Sequence, residues 1–329
     1  MFLDKSITHL KNSKNLLAFS GGVDSTALFF ILLDNGVAFD IAIVDYGVRE
    51  QSKDEVAYAK ELAYKYNLTC HLYKSEKIIK NFEAKAREIR YDFFHRLIKE
   101  YSYENLLTAH HLGDRFEWML MQFCKGAGCA ELGSMRIAEQ RDSYRVLRPL
   151  LEVDKSELLE YLHKNNIKYF EDESNFDESY KRNYFRKHHT EPLIKKYLGG
   201  IKKSFSYIDR DIDEIIEDVE ISSVNQFAYF RSTNQRSDIF HIDKYLKANG
   251  YVMTSPQRSE LQSRSTAIIG RKFVVNFFKD YVFIAPYVKV SKMDKAFKEK
   301  MRMLKIDPKL RGYLYLDGDA VELLFSLCL

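Results

Sequence analysis

The chain has 329 residues, a net charge of +4, and 46% apolar against 30% charged side chains, the profile of a globular protein long enough for two domains with buried cores. No run of about 18 apolar residues is present, which excludes a conventional membrane-spanning helix. The opening MFLDKSITHLKNSK lacks an apolar core of signal-peptide length and carries Asp4, so secretion is not expected.

In chain order, NLLAF reads as a short buried strand and VDSTALFFILLDNG as a helix ending near Gly36. DIAIVDY predicts a second strand, and SKDEVAYAKELAYKYN a second helix with Ser52 as its N-cap. TCHLYK predicts a third strand and NFEAKAREIRYDFFHRLIKEY a long helix. NLLTAHH then reads as a fourth strand and GDRFEWMLMQFCKG as a further helix. Strand alternating with helix, with strands apolar on both faces, predicts an α/β fold built on a doubly wound parallel sheet. Such sheets bind ligands at the carboxyl ends of strands, near a reversal in strand order.

From Asp154 the pattern turns helical, through DKSELLEYLHKNN and FSYIDRDIDEIIEDVE. Past about Asn225 it becomes short apolar and aromatic runs such as KFVVNFF and YVFIAPYVKV, which predict a small α+β domain. The expected organisation is a catalytic domain over 1–190, a helical basic linker over 191–225 and a C-terminal accessory domain over 226–329. Cys70, Cys124, Cys129 and Cys328 fit neither a disulfide framework nor a common zinc spacing, and read as free thiols in a reducing cytoplasm.

The first 200 residues balance acids and bases, so the basic excess lies beyond them. The densest basic stretch runs from Lys181 to Arg210, interleaved with Tyr184, Phe185, His188 and His189. Charge alone leaves two readings open, a solvated helix face or a nucleic-acid contact.

The chemistry concentrates first in SGGVDS, Ser20 to Ser25, where an apolar strand becomes a helix. Gly21 and Gly22 let the backbone approach an anion closely, and the helix that follows aims unpaired N–H groups at it. Ser20, Ser25 and Thr26 add hydroxyl donors. A serine-capped tight turn is the structural alternative. The string is neither a Walker loop nor a dinucleotide fingerprint. As a whole, S-G-G-x-D-S resembles the PP-loop of the ATP pyrophosphatase family, whose Rossmann-like members adenylate an oxygen and expel pyrophosphate. That resemblance implies ATP binding by Ser20, Gly21, Gly22, Val23, Asp24 and Ser25. It also gives Asp24 a purpose: an acid beside a polyphosphate becomes favourable when Mg²⁺ bridges the two.

Further strings resemble one branch of that family, the tRNA(Ile)-lysidine synthetases. EAKAREIRYDFF resembles their A-R-x-x-R-Y helix, and puts Arg87 and Arg90 on one face, as phosphate ligands or as a solvated basic face. TAHHLGDRFEWMLMQFCKGAG resembles T-A-H-H-x-D-D-Q-x-E-T, with Asp114 and Glu117 matching its second acid and its Glu. Three apart, these carboxylates share a helix face, and the resemblance gives them the lysine substrate. Gly113, Arg115 and Trp118 depart from the pattern, and His110 and His111 read equally as structural or catalytic. RPLLEVDKSELLEYLHKNN and the sequence after it resemble the family's R-P-L-L helix, then D-x-S-N (Asp172, Ser174, Asn175), then R-N-x-x-R (Arg182, Asn183, Arg186). VDYGVR keeps Gly47 and Arg49 of an H-V-N-H-G-L-R-like string but has Tyr46 for a histidine.

The resemblance implies an ATP-dependent ligase that joins free L-lysine to the wobble cytidine of the CAU anticodon of tRNA(Ile), with AMP and pyrophosphate released. Asp24 would hold Mg²⁺, Asp114 and Glu117 the lysine, and Arg87, Arg90, Arg182 and Arg186 the tRNA or phosphate charge. Another PP-loop tRNA modifier such as a thiolase, and a non-catalytic ATP- or RNA-binding relic, are the alternatives. The sequence is compatible with a monomer or a homodimer.

Overall fold

A computed structural model describes residues 10–48, 51–141, 143–171 and 177–328. At its centre is the strand β1 (Asn15–Ala18), whose buried leucines face helices on both sides. It pairs in parallel with β2 (Phe39–Asp45) on one side and β4 (Asn105–Leu107) on the other. Beyond β2 lies β3 (Cys70–Lys74), and beyond β4 lies β6 (Arg145–Leu147), both also parallel. The edge strand β5 (Ala138–Gln140) is antiparallel, giving the order β3-β2-β1-β4-β6-β5. The α/β sheet expected from the alternation is thus present, with one antiparallel edge added.

The helices α1 (Val23–Asp34), α2 (Gln51–Lys65) and α3 (Phe82–Tyr101) follow β1, β2 and β3. Leu17, Phe29, Ile41 and Leu62 belong to one core, whereas Leu16, Ala42, Phe94 and Leu106 belong to another. Adjacent strand residues therefore enter different cores, as the period of two requires. The chain runs β1 to β3 in one direction and returns to place β4 on the far side of β1. The carboxyl ends of β1 and β4 therefore flank the reversal point of the sheet.

From β4 the chain enters α4 (Leu112–Phe123), the short α5 (Cys129–Leu132) and then the β5–β6 pair. Arg148–Leu151 form a turn where the R-P-L-L resemblance implied a helix. The helix α6 (Lys155–Lys164) starts only where Asp154 and Glu157 close a capping box around its first turn. After α7 (Lys181–Phe185) comes a π-helical turn, Arg186–Thr190, and the long α8 (Glu191–Ile215), kinked at Tyr197. Ile194, Leu198, Ile201, Phe205 and Ile208 recur at helical spacing along α8 and pack with Leu112 and Phe116 of α4. Cys70, Cys124 and Cys129 are free.

The described residues divide into two units, 1–209 and 210–329. The second holds an antiparallel sheet in the order β7 (Ser222–Val224), β8 (Phe227–Arg231), β11 (Tyr281–Pro286), β10 (Phe273–Phe278), β9 (Thr266–Ile269). Val275, Val282 and Ile284 pack beside α9 (Gln235–Ala248) and α10 (Ser255–Ser263) on one face. Val274, Phe283 and Ala285 meet α11 (Lys295–Met303), α12 (Pro308–Leu316) and α13 (Gly318–Cys328) on the other.

Candidate active site

Phe19 to Gly22 connect β1 to α1 at the reversal point. Gly21 adopts φ +77°, and a Cβ there would lie 3.3 Å from the Phe170 ring. A side chain is thus doubly disfavoured at this position. The Phe170 N–H donates to the Gly21 carbonyl at 2.9 Å and pins the turn. The buried Ser25 Oγ accepts the Ser20 N–H at 3.2 Å and donates to the Gly22 carbonyl at 3.3 Å. Gly22 caps α1 without a side chain, so its first-turn N–H groups remain for an external anion.

Asp24 stands in that first turn. Its Oδ1 is buried without a hydrogen-bond partner. Burial pushes this carboxyl above its ordinary pKa and Asp114 adds to the effect, whereas His111, Lys155 and Arg186 oppose it. A hard oxygen lacking a donor suits a divalent cation such as Mg²⁺, which takes one or two carboxylates and completes its shell with water and phosphate. The described residues include no cluster of three His, Cys, Asp or Glu side chains that forms a cage by itself. Asp24 would therefore hold such an ion together with a nucleotide.

His111, at the carboxyl end of β4, caps α4. Its ring Nδ1 accepts the Gly113 N–H at 3.0 Å, and its backbone N–H donates to Asp114 Oδ2 at 3.1 Å. Nε2 lies 3.9 Å from Asp24 Oδ2 and 3.6 Å from Asp114 Oδ2, so the imidazole stands between the two acids. Gly113 makes this possible: a Cβ there would meet His111 Cε1 at 2.6 Å. The glycine that departs from the resembled string makes room for a ring. The pattern H-x-x-D before an apolar helix was the available signal for this cap.

Asp114 and Glu117 do share a face of α4, and both are buried. They meet Arg182 and Arg186, which are spaced by four residues and reach α4 together. Arg182 donates through Nε to Glu117 Oε1 and through Nη2 to Asp114 Oδ1 at 3.0 Å. Arg186 donates through Nε to Glu117 Oε2 at 2.9 Å, with its Nη2 3.5 Å from Asp114 Oδ1. Burial favours the neutral Asp114 acid, but His111, Arg182, His110 and Arg186 outweigh it and hold the carboxyl well below the usual range. Residues that the sequence assigned to different ligands thus form one ion-paired cluster.

Arg90 lies just past the end of β2. Arg90 Nε donates to the Tyr46 hydroxyl at 3.1 Å, and that hydroxyl donates to the Ala86 carbonyl at 2.9 Å. Tyr46, the other departure, therefore holds Arg90 in place. The Arg87 guanidinium rests 4.7 Å from the Tyr91 ring centroid. His110 is hydrogen-bonded to Thr108 at 2.9 Å, and burial lowers its pKa to about 4. Arg49, Asp172, Ser174 and Asn175 lie outside the described residues.

A glycine turn at the reversal of a parallel sheet, with an orphaned acid in the first helical turn, defines a nucleotide-binding protein of the PP-loop class. Residues 2–193 match the family model described as PP-loop domain. The chain is 42% identical over 308 residues to a tRNA(Ile)-lysidine synthase of Helicobacter pylori, covering 93% of this chain and 90% of that protein. It is 42% identical to one of Wolinella succinogenes, with 94% and 95% covered, and 38% identical to one of Campylobacter jejuni, with 95% of each covered. Among solved structures, a U34-tRNA thiolase of Methanococcus maripaludis with its [4Fe-4S] cluster matches with a TM-score of 0.54 at 19% identity, over 68% of this chain and 81% of that one. This last likeness concerns the fold alone. The chain belongs to the tRNA(Ile)-lysidine synthase family.

Proposed function

We propose that the protein joins free L-lysine to the wobble cytidine of a CAU-anticodon tRNA(Ile) at the expense of ATP. The carbonyl oxygen at position two of the cytosine is a poor leaving group. It attacks the α-phosphorus of ATP, and pyrophosphate departs. The ε-amine of lysine then adds to the ring carbon, AMP leaves with the former carbonyl oxygen, and the amine loses its proton. The cytidine leaves its stack to reach such a site.

The first-turn N–H groups of α1 and the Ser25 hydroxyl cradle the departing phosphates, which places fixed donors where charge develops. Mg²⁺ held by Asp24 would neutralise polyphosphate charge. The His111 ring stands between Asp24 and Asp114 and so sets the phosphate site beside the lysine site. Asp114 and Glu117 receive the cationic amine. Arg87, Arg90, Arg182 and Arg186 take phosphates of the tRNA, with the basic face of α8 extending that contact.

The observation that carries this reading is the His111 ring lying between Asp24 and Asp114, because it joins the nucleotide turn to the carboxylate pair. Incubation with ATP, labelled lysine and the cognate tRNA tests it, and label should appear in the tRNA. Asp24→Ala should abolish tRNA-dependent pyrophosphate release and leave tRNA binding intact. Equal loss of both would assign Asp24 a structural part only.

A further inference from the structure

The four oxygens of Asp114 and Glu117 are all engaged. Asp114 Oδ1 receives both arginines, Asp114 Oδ2 receives the His111 backbone N–H, and each Glu117 oxygen receives one guanidinium Nε. The cluster is also electrically balanced, two carboxylates against two guanidiniums. A lysine ammonium entering it would find no carboxylate without a partner, and would add a third cation next to two others. The proposed lysine site is therefore already filled by the protein's own cations.

The two cations differ from the two acids in how they meet solvent. The Glu117 side chain is 1% exposed, whereas that of Arg182 is 39% exposed. Arg186 is intermediate, at 24%. An anion arriving from outside meets guanidinium first, and arginine forks bind phosphate in two-point geometry as readily as carboxylate. Their surroundings are basic and aromatic: Lys181 and Phe185 lie on the same short helix, and Tyr184 packs against His188 at 4.6 Å. Such a surface suits an RNA backbone. The π-helical turn that begins at Arg186 is a local irregularity of the kind that clusters at functional sites.

We infer that Arg182 and Arg186 exchange partners during the reaction: they close the lysine site in the free protein, and tRNA phosphates draw them off Asp114 and Glu117 to open it. This rests on the function proposed above and adds a coupling to it. Lysine and tRNA then bind with positive linkage, each raising the affinity of the other by the same factor. The protein would hold lysine tightly only when the tRNA that receives it is present.

Calorimetric titration of L-lysine into the full-length protein, without ATP and with or without CAU-anticodon tRNA(Ile), tests the coupling. Lysine should bind at least tenfold more tightly with tRNA. In Arg182→Gln and Arg186→Gln, checked as folded by circular dichroism, the free protein should bind lysine more tightly than wild type, and the tRNA effect should shrink. Equal lysine affinity with and without tRNA in the wild type overturns the exchange and leaves the lysine site standing. A tRNA effect that persists while both variants bind lysine no better also overturns it. Absence of lysine binding in every condition overturns the exchange, and absence of labelled lysine in the tRNA when ATP is supplied would remove the proposed function with it.

Discussion

A methyl group at residue 113 would lie 2.6 Å from a ring carbon of His111, closer than two carbons can approach. Gly113→Ala should therefore expel the imidazole from its place between Asp24 and Asp114. The lost cap costs about 1 kcal/mol, and alanine returns about 1 kcal/mol of helix propensity. The thermal midpoint should move little while tRNA-dependent pyrophosphate release falls by about tenfold, or about 1.4 kcal/mol. Unchanged turnover would reduce His111 to a cap. His110 makes a second prediction. Its pKa lies at about 4 in the folded chain against an ordinary 6.5, so the unfolded chain binds the proton first as pH falls. Its contribution is complete above pH 6.5 and is lost towards about pH 4, with about 2 kcal/mol gone at pH 5. Urea midpoints at pH 7 and 5 should converge in His110→Gln relative to wild type. The nucleotide turn was legible because glycines, hydroxyls and an acid are packed into one hexapeptide. The arginine–carboxylate cluster was not, because its partners stand 65 to 72 positions apart and no local period connects them.

Among elements, α4 links the site to α8. Its Arg115 is buried, with the guanidinium 4.2 Å from the Phe205 ring centroid and Nη2 2.5 Å from Asp209 Oδ1. Arg136 meets the same carboxylate oxygen at 3.2 Å. Loss of Arg115 leaves Asp209 with Arg136 as a remaining partner, so it costs about 2 kcal/mol, the worth of a charged hydrogen bond, rather than the penalty of an unpaired buried charge. Arg115→Ala should lower urea stability by about that amount, and Arg115→Gln by less, since the amide can still donate to Asp209. A change under about 0.5 kcal/mol would show that α8 is held by its apolar stripe alone. That stripe shows what a charge-led reading overlooks. Lys195, Lys196, Lys202 and Lys203 marked the segment as basic, while Ile194, Leu198, Ile201, Phe205 and Ile208 bind it to α4. The first four strands were legible from short apolar runs between helices. β5 and β6 were not, because three-residue strands bearing Glu139, Gln140 and Arg145 offer neither an apolar run nor an alternation.

At the scale of the whole molecule, the second unit carries its own means of folding. Its sheet is buried on both faces, by α9 and α10 on one and by α11 to α13 on the other. Its register is set by strict alternation, Val274 into one core and Val275 into the other. Asn276, the polar residue buried in the interior strand β10, donates to the Thr266 hydroxyl at 2.7 Å. A unit of this size buries about two-thirds of its chain surface, enough for a stability of about 5–15 kcal/mol. Residues 210–329 expressed alone should therefore unfold in one cooperative urea transition, with matching midpoints by circular dichroism and fluorescence of the tyrosines. Non-coincident or broad transitions would show that the unit depends on the rest of the chain. The basic excess beyond residue 200 adds a second readout. The isolated unit should bind tRNA without ATP or lysine, with an affinity that falls linearly on a log–log plot against salt, because phosphate contacts release counterions. Salt-independent binding would place the recognition in base contacts instead, and no binding would leave the whole grip on tRNA to the nucleotide-binding unit.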